Sequence, residues 1–227
     1  MSKKGSRKIG NCAYCGKRKE LSQDHVIPLC LFPKVKAKDE EMITVYACDN
    51  CNNVKKSKND AFLRDILVGD IWNENNPLAQ EPHQAMLRAV QKNRSPLAKQ
   101  IIDNAYPETY ISKDGRVRVN GYMLPFEEEL KEQFQNTFET IARGLYFKNS
   151  GEIYPKNYTF DIMRIEPIEY LEVIHELEQY GVNSCRRFSD GVFSWRGVYA
   201  SDDHAQYVQL LSFYDRVMFL IISNAPN

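Results

Sequence analysis

Two stretches decide the fold: Cys12-Ala13-Tyr14-Cys15-Gly16 and Ala47-Cys48-Asp49-Asn50-Cys51-Asn52-Asn53-Val54-Lys55. Each is a Cys-x-x-Cys knuckle, and two such knuckles let four thiolates converge on one ion in the tetrahedral geometry that zinc prefers. Gly16 suits the tight turn that a knuckle needs. A closed set of four sulfurs leaves no coordination position for water, so an ion bound there holds the module together and does no chemistry. Between the knuckles lies Leu21-Ser22-Gln23-Asp24-His25-Val26-Ile27-Pro28, with an acid and an imidazole side by side. Asn52 and Lys55 follow the last cysteine.

Six cysteines in a 227-residue chain, four of them in paired knuckles, read as metal ligands in a reducing compartment rather than as a disulfide framework. The other two, Cys30 and Cys185, are expected to be small buried apolar residues. A hydrophobic content of 43% is enough for a sizeable core without disulfides. No apolar run is long enough to cross a bilayer, and Met1 to Lys8 is basic without the apolar stretch of a secretory signal, so a cytoplasmic location is expected. The net charge of zero hides an asymmetry. Residues 1–60 carry 13 Lys or Arg against 7 Asp or Glu, which leaves the remainder acidic by the same margin. A basic surplus on a small module suits a polyanionic partner, although a merely solvated basic face has the same composition.

The pattern changes near residue 65 to 70. Before it, Leu21 to Ile27 and Met42 to Ala47 read as strands joined by an irregular, lysine-rich loop, and Cys51 to about Leu67 reads as a helix. After it come helices at Pro82 to Asn93 and Pro96 to Asp103, then a hairpin of Thr109 to Ser112 and Arg116 to Met123 around Lys113-Asp114-Gly115. A long amphipathic helix from Phe126 ends before Gly151, and a strand at Tyr158 to Ile165 leads to a helix at Pro167 to Tyr180. Strands near Val192 to Tyr199, Ala205 to Ser212 and Arg216 to Ser223 close the chain. The fold class is α+β: a zinc-stapled module at residues 1–68, then a mixed α+β region with an antiparallel sheet at 69–227. Trp72, Trp195 and the aromatic residues from Phe126 to Phe147 read as core, and His83, His175 and His204 as ordinary surface or core histidines.

The two knuckles, the Asp24-His25 pair and the Cys51-Asn52 junction together resemble the zinc-stapled HNH endonucleases, whose ββα-metal fold has the same element order. The resemblance covers about residues 10–67. It implies His25 as the general base that takes a proton from the attacking water, and Asp24 and Asn52 as ligands of one catalytic cation, Mg2+ or Mn2+, beside a structural Zn2+ on Cys12, Cys15, Cys48 and Cys51. Lys55, three residues beyond Asn52 and thus on the same helix face, would contact the substrate backbone, with Lys56 and Lys58 extending the basic surface. The implied substrate is nucleic acid, with DNA expected. Residues 69–227 would recognise the substrate or a protein partner, and the oligomeric state is open.

Two features complicate the resemblance. Adjacent residues of a strand point to opposite faces, which separates Asp24 from His25 unless the chain bends or the two act from different sides. The asparagine that usually precedes the second knuckle and orients the histidine is absent from Glu41-Met42-Ile43-Thr44-Val45-Tyr46. Thr44 or a backbone carbonyl could take its place. Two other readings stand beside the nuclease: a zinc-ribbon-like module that binds nucleic acid without cutting it, and a nuclease subunit active only within a complex, such as an anti-phage defence system.

Overall fold

Lys8–Asn11 (β1), Arg18–His25 (β2) and Thr44–Cys48 (β3) pair antiparallel, in that order, into a small sheet. The computed structural model describes residues 8–34, 42–71, 75–92, 94, 95, 97, 106–111, 118–123, 128–181, 184–199 and 206–226. Strand β1 is an addition to the two expected strands. It is a four-residue edge whose one large apolar residue, Ile9, is 69% exposed, so no hydrophobic alternation marks it. Strand β2 ends at His25, ahead of Pro28, which has no N–H to extend a ladder. A π-helical turn, Asn50–Lys55, leads from the second knuckle into the helix Lys56–Asp70 (α1). Helix Gln80–Gln91 (α2) packs on α1 through Met86 and Val68.

The second part is built on an antiparallel sheet. After the hairpin Tyr106–Ile111 (β4) and Arg118–Met123 (β5) comes the 23-residue helix Glu128–Ser150 (α3). The sheet comprises Thr159–Ile165 (β6), Ser184–Phe188 (β7), Phe193–Tyr199 (β8), Gln206–Phe213 (β9) and Val217–Asn224 (β10), ordered β6-β10-β9-β8-β7, with helix Pro167–Glu178 (α4) between β6 and β7. The β7 strand was not expected from its sequence. It carries Arg186 and Arg187 and lies at an edge, where it lacks the apolar alternation of its neighbours. Apart from the buried Leu97, the expected helix at Pro96 to Asp103 lies outside the described residues, as do the turn Lys113-Asp114-Gly115, Trp72 and His204.

Side chains alternate between the two faces of this sheet, and a helix covers each. On one face the rings of Phe138 in α3 and Phe219 in β10 are 4.3 Å apart, and Gln209 Nε2 donates to the carbonyl of Ala142 at 3.1 Å. On the other, Ile165, Leu210 and Met218 receive Tyr170, Val173 and Ile174 of α4. Trp195 is buried in the core, as expected. Cys30 is not: it is exposed, and its thiol donates to the carbonyl of Asp60 at 3.4 Å.

The small sheet and the large one share a single core. One cluster of buried side chains includes Cys12, Val26 and Leu63 together with Phe138, Leu211 and Phe219. The buried hydroxyl of Tyr214 donates to the carbonyl of Leu31 at 3.2 Å, and Asn76 Nδ2 donates to the carbonyl of Tyr214 at 3.0 Å. The expected division at residue 68 falls inside α1, and the core crosses it. At the closest approach, α3 presents Gly144 to the first module, where a Cβ would lie 2.8 Å from Val26 Cγ1 and 3.1 Å from Tyr14 Cε1.

That contact reverses the usual sign of a helical glycine substitution. Gly→Ala within a helix normally stabilises by about 1 kcal/mol, whereas overpacking costs about 1–3 kcal/mol. Gly144→Ala should therefore lower stability by up to about 2 kcal/mol, seen as a lower urea midpoint, and a raised midpoint would show that the contact yields readily.

Candidate active site

The knuckles are shaped by backbone hydrogen bonds before any ion is considered. Gly16, at φ +70, donates its N–H to the carbonyl of Cys12 at 2.9 Å, and Cys12 donates to Lys17 at 3.1 Å. Ala13 donates to the carbonyl of Tyr46 at 3.0 Å, which ties the first knuckle to β3. Cys48 closes β3 and its N–H points at the Cys12 sulfur, 3.4 Å away. The four sulfurs lie within 4.8 Å of one another, with Cys15 and Cys48 separated by 3.9 Å. Tetrahedral zinc with bonds of about 2.3 Å requires sulfur separations of about 3.8 Å, so the set fits this ion.

Their acidities point the same way. Burial pushes the Cys51 thiol far above its ordinary range, and the neighbouring cysteines add to the shift. Burial also raises Cys12. For Cys48 burial acts in the same sense, but hydrogen bonds from the Cys51 backbone and the surrounding thiols outweigh it and the net shift is downward. Thiols crowded in this way ionise together only around a cation.

Asp24 and His25 are the last two residues of β2, and the strand runs regularly through both. Pairing of Asp24 with Val45 and His25 with Thr44 fixes the faces. Ser22 and Asp24 lie on the buried face with Val45 and Ala47, whereas Gln23 and His25 lie on the opposite face with Thr44 and Tyr46. No bend brings the pair to one side. Asp24 is only 5% exposed and its Oδ2 accepts a 2.6 Å hydrogen bond from the hydroxyl of Tyr14. Burial, and then the Asp24 charge, hold the Tyr14 hydroxyl well above its ordinary acidity range, so it remains a donor. Across from half-buried His25, Thr44 Oγ1 accepts from Gln23 Nε2 at 3.0 Å.

Asn52 lies in the π-helical turn and reaches back to β2. Its Nδ2 donates to Ser22 Oγ at 3.0 Å and to the carbonyl of Gln23 at 3.2 Å. Ser22 shares a face with Asp24, so the helix start meets β2 on Asp24's side. With the amide nitrogen engaged, the amide oxygen is the atom Asn52 can offer to a cation. The donor set of a carboxylate and an amide oxygen fits a hard cation such as Mg2+ or Mn2+ and suits zinc poorly.

The backbone of Lys55 ends the π-helical turn, and Lys56 and Lys58 open α1. Their side chains lie outside the described residues. The i→i+5 bonding of this turn replaces the α-helical spacing on which the alignment of Lys55 with Asn52 was expected. An open cleft of about 640 Å³ lies between β2 and the second knuckle, lined by residues including Lys19, Ser22, Asp49, Asn50 and Asn53. Sequence reasoning missed the roles of Tyr14 and Ser22. An aromatic residue inside a knuckle is a weak signal, and a serine two residues before an aspartate is none.

Residues 12–67 match the family model described as HNH endonuclease. This segment is an HNH module. No curated protein and no solved structure matches the chain. The match runs from the first knuckle through β2, β3 and the second knuckle into α1, and so includes every residue discussed above as a ligand or base. An HNH module points to a nuclease and to nucleic acid as its substrate. Among the described residues, no helix is long and apolar enough to cross a membrane.

If the HNH module is held by one zinc ion, Cys51→Ser should reduce bound zinc from one equivalent per chain towards none, with a fall in thermal midpoint. Zinc content by atomic emission and the melting curve of the same sample measure both. Full zinc occupancy in the variant would remove Cys51 from the ligand set.

Proposed function

We propose that the chain is a cation-dependent endonuclease that hydrolyses DNA phosphodiester bonds at its HNH module. The observation that carries this reading is the bond from Asn52 to β2 at Ser22 and Gln23, which joins the helix start to the strand that ends in Asp24 and His25. His25 acts as the general base: an imidazole in its neutral form accepts the proton of the attacking water. On the strand face opposite Asp24, it takes the water from the other side of the ligand pair, the route that strand alternation leaves to it.

Asp24 and Asn52 hold the cation through oxygen atoms. When bound, a divalent cation neutralises the scissile phosphate and stabilises the departing 3′-oxygen, leaving a 5′-phosphate and a 3′-hydroxyl. Thr44, directly opposite His25 in the ladder, takes the orienting place of the missing asparagine. Lys55, Lys56 and Lys58 contribute to backbone binding, in keeping with the surplus of positive charge in residues 1–60. The structural zinc holds both strand and helix start in place. Residues 69–227 select the substrate or a partner, and the protein works in the cytoplasm.

Incubation of supercoiled plasmid with protein and Mg2+ or Mn2+ tests the proposal. The wild type should nick it, and His25→Ala should be slower by about 10²–10⁴-fold with zinc content unchanged. Equal rates for the two proteins, or salt-sensitive DNA binding with no cleavage by the wild type under any cation, would replace the nuclease with a binding module.

A further inference from the structure

The Asp24 carboxylate is almost wholly buried, yet the reading above asks it to meet a cation. A carboxylate in that position needs its orientation set, because rotation about its side-chain bonds would swing the ligand oxygen away. The Tyr14 hydroxyl lies 2.6 Å from Asp24 Oδ2, a short charge-assisted bond that fixes one oxygen. A carboxylate has about four lone-pair directions, so this bond leaves coordinating capacity. Tyr14 itself is 8% exposed and is held from two sides. Its backbone belongs to the first zinc knuckle, tied to β3 through Ala13 and Tyr46. Its ring edge rests on Gly144 of α3, where even a methyl group would lie 3.1 Å from Cε1.

We propose that Tyr14 is a positioning residue that sets the Asp24 carboxylate for the catalytic cation, and that Gly144 of α3 keeps the space its ring requires. The proposal rests on Asp24 being a cation ligand. It gives α3 a direct part in the nuclease site, since the second region seats the side chain that orients the ligand. It also explains why the core passes without a break from the HNH module into residues beyond it: separation of the two would release Tyr14.

The test uses the full-length, zinc-loaded protein and Mn2+ binding measured by titration calorimetry, with zinc content determined for each sample. Tyr14→Phe keeps the ring and removes only the hydroxyl. It should retain zinc and weaken Mn2+ binding about tenfold, the scale on which partners of metal ligands act. Wild-type binding that Asp24→Asn abolishes while Tyr14→Phe stays within about twofold of wild type would overturn the proposal alone. A wild type that binds no Mn2+, or whose binding Asp24→Asn leaves intact, would overturn the ligand reading and the proposal together. If Tyr14→Phe loses zinc, Gly144→Ala serves in its place. It leaves the hydroxyl present while its Cβ presses on Val26 at 2.8 Å and on the Tyr14 ring edge at 3.1 Å, and weakened Mn2+ binding with zinc retained supports the proposal, whereas unchanged affinity contradicts it.

Discussion

Four sulfur atoms within 4.8 Å of one another cannot all carry charge unless a cation sits among them, and the rest of the HNH module depends on that constraint. Two unit charges about 4 Å apart repel by about 4 kcal/mol at an effective dielectric of about 20, and four thiolates make six such pairs. A bound zinc ion turns this repulsion into a staple that joins β1, the end of β3 and the π-helical turn. Strand β2 is held within that frame by its ladder to β3, and the helix start by the reach of Asn52 to Gln23. The chemistry proposed for the site thus depends on an ion that takes no part in it.

The second constraint is the alternation of strand side chains. It divides the candidate site between the two faces of β2, with Asp24, Ser22 and the contact from Asn52 on one side and half-buried His25 on the other. The bond from Tyr14 to Asp24 lies at the junction of the knuckle, β2 and α3, where Gly144 permits the approach. The pair of Tyr14 and Asp24 is thus not independent of the α+β region, since α3 packs against the Tyr14 ring at Gly144.

Much of this was legible in the residues. Cysteine spacing gave the sulfur cluster, because ligand geometry imposes short, fixed intervals that survive in sequence. Central strands such as β9 and β10 and the long helix α3 were readable because burial on a packed face forces period 2 or period 3.6 on their apolar residues. Two of the edge strands were not: β1 and β7 pair along one side only and carry charged residues, so burial leaves little mark on them, whereas the edges β3 and β6 keep enough apolar residues to be read. The π-helical turn was also hidden, since α and π bonding differ in backbone register and not in residue type. Tyr14 illustrates a further limit. Its partner in the chain is ten residues away and its support comes from Gly144, and no local pattern links the three.

The central claim is that the module separates two ions by chemistry, with a closed sulfur site for zinc and an oxygen site at Asp24 and Asn52 for the catalytic cation. Anomalous diffraction from crystals soaked in Mn2+, collected at the zinc and manganese edges, tests it most directly. The account predicts zinc at the centre of Cys12, Cys15, Cys48 and Cys51, and a separate manganese peak with oxygen ligands from Asp24 and Asn52 at about 2.1 Å. Manganese found only among the sulfurs, or bound away from Asp24 and Asn52, would contradict it.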